Sequence, residues 1–278
     1  MKTKSLMLFL ATTLISSHVF ANAINGVQNF LGSSSGAGPG GWFLSAGIGV
    51  DYPKIDDGWA SEGNDSAPDR YLANQVTDPV VGNFALGYLW SQPQAWFPYF
   101  GLGLDYTFAA QSKVSGQVQT FATPDQNFYN FSYKFSRQTA MLFGKIDLYN
   151  FYNFMPYIWA GIGPSFNQAS DYQEEVNPNN PPTLEVENPD GTEQTILNPR
   201  VSPNFGKGTN TSLATAVGAG IDYVIYNNLW VSAGYRYGYY GHIQTGNGTE
   251  AGGFPNDHLA SALRENSLIF SLTYFFHA

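Results

Sequence analysis

Eight segments of this chain alternate with a period of two. In each, bulky apolar side chains take one parity, while glycine, serine and the charges take the other. The last segment, residues 266–276, is the cleanest. Leu268, Phe270, Leu272, Tyr274 and Phe276 share one face, and Ser267, Ile269, Ser271, Thr273 and Phe275 share the opposite one. A period of two is the signature of a strand. The other seven lie at 41–52, 80–90, 97–108, 131–148, 156–167, 211–225 and 229–240.

The connections between them alternate in length. Polar stretches at 53–78, 109–130, 168–210 and 241–262 are long, whereas 91–96, 149–155 and 226–228 are short. The pattern predicts an all-β fold: an eight-stranded antiparallel up-and-down barrel with short turns at one end and long loops at the other. Two barrels satisfy this outline. A soluble one puts bulky groups inside, and a transmembrane one puts them outside against lipid.

The small face decides between them. Gly47, Gly49, Gly101, Gly103, Gly218, Gly220 and Gly234 are too small to build an apolar interior. Asp51, Asp105, Lys145, Asp147, Asp222, Arg236 and Glu265 all fall on that same face. Random assignment to two faces gives such agreement about once in sixty-four, and a charge facing lipid at mid-bilayer costs roughly 2–4 kcal/mol. The charged face is therefore read as the lumen. Lys134 and Arg264 break the parity, but both lie toward the long loops, where that penalty fades. Charges enclosed in a narrow lumen must pair. The expectation is one network in which Lys145 and Arg236 pair with Asp51, Asp105, Asp147 and Asp222. Eight strands leave an interior that side chains fill, so packed ion pairs are expected ahead of an aqueous pore.

Composition agrees. Only 12% of residues are charged, against about 25% in ordinary soluble domains, while 16% are aromatic and 30 are Gly. The aromatics collect at strand ends. Trp90, Trp96, Phe97, Tyr149, Phe154, Tyr157, Tyr226, Trp230, Tyr274 and Phe276 mark the short-turn end, and Tyr52, Tyr106, Phe108, Phe166, Tyr237 and Tyr239 the other. Two such belts suit two membrane–water interfaces.

Lys2 and Lys4, an apolar run over 6–14 and Ala21-Asn22-Ala23 together read as a signal peptide. The organisation expected is a signal over 1–23, a Ser/Gly-rich flexible segment over 24–40, and a barrel over 41–278. The net charge is −9, which makes nucleic acid an unsuitable partner. There is no Cys, hence no disulfide framework or thiolate site.

Pro98-Tyr99 and Pro156-Tyr157 open two strands alike, each with Gly four residues after the Tyr. With the eight strands and the aromatic-ended last one, they make 41–276 resemble the small outer-membrane barrels of the OmpA/OmpX and opacity-protein type. The resemblance implies a monomer exported through the periplasm to a bacterial outer membrane, among lipid and lipopolysaccharide. It also implies that Leu272, Tyr274 and Phe276 form the signal read by the barrel assembly machinery, although His277 and Ala278 follow here. Long loops would meet a host or environmental ligand.

The search for chemistry yields no catalytic, cofactor-binding or metal residue. Asp257, His258 and Ser261 lie close in sequence, but a triad is a matter of geometry. Gly246-Asn247-Gly248 has no helix after it and is no phosphate cradle. The 168–210 connection carries seven acids and six prolines and reads as a mobile acidic loop. The function expected is structural and interactive, with a narrow channel for small or hydrophobic solutes as the alternative. A lipid-modifying enzyme ranks third.

Overall fold

The computed structural model describes residues 40–60, 68–91, 97–148, 150, 152–249 and 257–276. The expected signal over 1–23, the segment expected to be flexible up to residue 39, and Trp96, Tyr149 and His277 lie outside them. Among the described residues twelve strands form: β1 (Gly41–Ile55), β2 (Gly58–Ala60), β3 (Asp69–Val76), β4 (Val80–Ser91), β5 (Tyr99–Gln119), β6 (Tyr129–Asp147), β7 (Phe154–Val176), β8 (Thr183–Glu187), β9 (Glu193–Leu197), β10 (Gly208–Tyr226), β11 (Leu229–Gln244) and β12 (Ala260–Phe276). No helix among the described residues is long and apolar enough to cross a membrane.

Eight strands close a ring in the order β1–β4–β5–β6–β7–β10–β11–β12, and β12 returns to β1. All pairings are antiparallel. The closing seam runs from Trp42 opposite Phe276 to Ile55 opposite Leu263. Closure leaves no sheet edge in the hydrocarbon, where an unpaired backbone group has no water to bind. Leu104, Leu142, Val217, Phe270 and Leu272 face outward, whereas Asp51, Asp105, Asp147, Asp222 and Glu265 are buried inside. Phe276 departs from the alternation. It is covered, with its ring edge-on to Tyr274 at 5.4 Å.

The strands run further past the long-loop end than their membrane pattern marks. β5 continues to Gln119, β6 starts at Tyr129, β7 reaches Val176 and β12 starts at Ala260. The 53–78 connection also folds. β2 takes over from β1 beside β12, with Trp59 opposite Ala260, and β3 takes over from β4 beside β5. Above the membrane the ring is thus rebuilt as β12–β2–β3–β5–β6–β7–β10–β11.

The expectation of one mobile loop over 168–210 is corrected. Its first part is the end of β7, its last residues begin β10, and its middle is the β8–β9 hairpin. The tip, Asn188-Pro189-Asp190-Gly191-Thr192, explains this. Asn188 donates its N–H to the Thr192 carbonyl at 2.7 Å, and Gly191 sits at φ +80, which only Gly takes freely. The Asp190 carboxylate accepts from Thr192, and those hydrogen bonds hold its pKa below the usual range. A Pro-Asp-Gly turn is a hairpin signal, and it outweighs acidity as a sign of disorder.

Candidate functional site: the lumen and its roof

The structure divides the lumen charges into three clusters stacked from the short-turn end upward. In the lowest, Lys145 of β6 pairs with Asp222 of β10 and lies 3.4 Å from Asp147. Its ammonium sits 4.4 Å from the centre of the Tyr157 ring, and Ser232 donates to Asp222 at 2.6 Å. Glycines make room for that tyrosine. A Cβ on Gly220 would stand 2.6 Å from the Tyr157 hydroxyl, and one on Gly234 closer still.

In the middle cluster Arg236 of β11 reaches Asp105 of β5 at 3.0 Å, between strands facing each other across the ring. The guanidinium lies 4.2 Å from the Trp159 ring centre. Asn83 and Thr107 each donate to Asp105 at 2.8 Å.

The third cluster centres on Arg137 of β6. It contacts Asp51 of β1 at 2.7 Å and Glu265 of β12 at 2.5 Å, with all three side chains fully buried. It also donates to Thr139 at 2.7 Å and stacks 4.0 Å from the Tyr240 ring centre. Asp51 therefore pairs with Arg137, not with Lys145 or Arg236 as the single network supposed. Arg137 shares the parity of Lys145 on its strand, so alternation alone is enough to find it. It lies toward the long-loop end, where the apolar alternation of its strand is weakest. Lys134 and Arg264 face outward there, paired with Asp171 and Asp56.

Below and between these layers aromatic rings cross the lumen. Tyr99 meets Trp230 at 5.7 Å, Trp230 meets Phe275 at 4.5 Å, and Phe275 meets Phe43 at 5.8 Å. Phe43 continues to Phe143 at 6.4 Å, and Phe143 stacks on Trp159 at 5.8 Å. This partition joins β1 to β6 and β7 on the far wall. A cavity of about 60 Å³ remains beside it, lined by Asp105, Lys145 and Arg236 among others, with room for a few waters.

A roof closes the upper end. Arg200 binds Asp69 of β3 and makes two parallel contacts of 3.1 Å to Glu174 of β7. Its backbone N–H donates to the Tyr129 hydroxyl at 2.8 Å, and its guanidinium lies 4.7 Å from that ring centre. Burial disfavours the charge, but Glu174 and Asp69 outweigh it and raise the Arg200 pKa further. Beneath the clamp, Tyr71 packs on Phe131 at 5.2 Å and Tyr172 on Phe205 at 5.0 Å. Burial, then the neighbouring Glu174, pushes the Tyr71 hydroxyl far above its ordinary pKa.

Asp257, His258 and Ser261 lie close in sequence. Asp257 accepts the backbone N–H of His258, and Ser261 is buried against Tyr133. Among the described residues no three His, Cys, Asp or Glu side chains cluster to hold a metal.

A closed ring with grease outside, ion pairs inside and a rebuilt collar above is a transmembrane barrel of the bacterial outer membrane. The chain belongs to the outer membrane protein beta-barrel domain family, whose model matches residues 7–276. Among solved structures it is similar to the outer membrane protein OprG from Pseudomonas aeruginosa, at 15% identity and TM-score 0.47, covering 87% of this chain and 100% of that one. It is also similar to Neisserial surface protein A, at 14% identity and TM-score 0.38, covering 87% and 100%. The outer membrane protease OmpT from Escherichia coli matches at 10% identity and TM-score 0.37, covering 87% and 99%. No curated protein matches the chain.

Proposed function

We propose that this barrel is a closed, surface-displaying scaffold. It contributes to the envelope and contacts host or environment through its loops, and it is neither an aqueous channel nor an enzyme. One observation carries the reading: paired charges span the ring from wall to wall, between an aromatic partition below and a clamped roof above. An ion crossing the lumen would have to break a buried pair, at about 3–5 kcal/mol for each partner left unmatched.

Planar-bilayer recording of the refolded protein tests this. No steady single-channel current is expected, and a steady current altered by Lys145→Met or Arg236→Met would overturn the reading in favour of a narrow channel. The cavity beside Asp105 is the feature that favours that alternative. Replacing residues 182–198 by a short turn is expected to spare heat-modifiable gel mobility and lower cell adhesion; unchanged adhesion sinks the interaction role. An unaltered lipid profile in a His258→Ala strain is expected of a non-enzyme.

The scaffold works as a monomer among lipid and lipopolysaccharide. Leu272, Tyr274 and Phe276 on β12 serve as the assembly signal for the barrel assembly machinery. Their replacement by Ala is expected to lower the folded amount in the outer membrane, and normal insertion would refute the role.

A further inference from the structure

Among the described residues the β8–β9 ribbon pairs with nothing but itself. It is a separate two-stranded sheet, and every one of its residues is exposed. Two-stranded ribbons are marginal alone and gain stability from a third strand. Its edges can be read from the ladder. Asn188 donates to Thr192, and Asn198 donates to Pro182. Residues of that parity, Leu184 opposite Ile196 and Val186 opposite Gln194, thus spend their backbone groups within the ribbon. Thr183, Glu185 and Glu187 point theirs away from β9, along an open edge.

The two faces differ in chemistry. Leu184, Val186 and Ile196 form an apolar face, exposed at 48%, 37% and 40%. Glu185, Glu187 and Glu193 lie on the other, and Glu187 stands directly opposite Glu193. Like charges in that position destabilise the pair. Nearby acids are already matched, Asp171 by Lys134 and Glu174 by Arg200, but no cation reaches these three among the described residues.

We propose that the β8 edge takes up an extended segment of a partner protein, added as a third strand, in which cationic and apolar residues alternate. The interaction rests on the surface role proposed above and gives it a partner chemistry. Backbone hydrogen bonds along the open edge hold the segment, its cations meet the glutamate face, and its apolar residues cover Leu184 and Val186. A second copy of this ribbon is the wrong occupant, because it would bring Glu against Glu.

The test uses the full chain in micelles and two fluorescent peptides of the same composition. In one, lysine and valine alternate over about eight residues, enough to span a strand. In the other, all the lysines precede all the valines. The alternating peptide is expected to bind at least tenfold tighter. Glu185→Pro removes an outward N–H that the ribbon does not use, and is expected to weaken binding tenfold or more. Glu185→Gln combined with Glu187→Gln leaves the backbone alone and is expected to weaken it several-fold. Thr195→Pro, on the opposite edge, is expected to change nothing. Equal binding of the two peptides, wild-type binding by Glu185→Pro, or equal loss in both proline variants overturns the inference. None of these results touches the scaffold role. That role falls separately, if adhesion survives loss of 182–198 or a steady current appears.

Discussion

The same ring obeys opposite rules at its two levels. Within the membrane, Leu104, Leu142 and Phe270 face out, and Asp51, Asp105, Arg137 and Glu265 face in. Above it, on the same β5, β6 and β7, the inside turns apolar: Val114, Val118, Phe131, Phe135 and Ala169 are buried. The outside there turns polar, with Lys113, Gln173 and Glu175 exposed. The lower level resembles an inverted soluble protein, and the upper level is an ordinary one. Strand alternation is common to both. What changes is the medium outside, and the burial of apolar surface away from water sets the parity wherever water is present.

The comparison can be broken in four places. The largest effect is expected from Arg137→Met, which strands Asp51 and Glu265 in the lumen at a cost of about 3–5 kcal/mol. Denaturant unfolding in micelles measures it, and a loss under about 1 kcal/mol would mean that the lumen does not need its charges matched. Phe135→Ala removes a ring from the upper interior and is expected to cost about 3 kcal/mol, as in a soluble core. If the upper level were held only by its hydrogen bonds, that change would be nearly silent.

The sharpest test is a matched pair at outward positions. Leu104→Arg is expected to cost roughly 2–4 kcal/mol in bilayers, whereas Ser132→Arg, outward on the upper level, should stay within about 0.5 kcal/mol. Equal costs would erase the distinction between the two media. The smallest effect is local. Gly191→Ala at positive φ should cost the ribbon about 1 kcal/mol, visible as faster amide exchange over β8 and β9 with no change in the barrel. Uniform exchange across the chain would mean that the ribbon and barrel open together.

Much of the barrel is legible in the chain, because a strand's faces are written residue by residue. Leu268, Phe270 and Leu272 show the lipid side of β12 unaided, and the shared parity of Asp105, Lys145, Asp222 and Arg236 places them inside. Where the outside medium changes, that reading fails. Residues 109–119 and 168–176 continue strands, but their apolar side switches from outward to inward, and bulges between Ala109 and Ser112 and between Ser132 and Lys134 shift the register. Residues 168–176 therefore read as part of a loop, whereas 114–119 and 128–135 keep enough alternation to read as an extension of the hairpin beyond the membrane. The β8–β9 hairpin carries its own signal in Pro189-Asp190-Gly191, hidden among acids that suggest disorder.

The sequence by itself determined the eight strands of the membrane ring, their closed antiparallel order, the outward grease and the inward charges, since each follows from local alternation and turn chemistry. Only the tertiary structure decided which charge meets which. Arg137 joins Asp51 across 86 positions of sequence, and Arg200 joins Asp69 across 131. Those distances are closed by the tilt and stagger of the whole ring, which no stretch of chain contains.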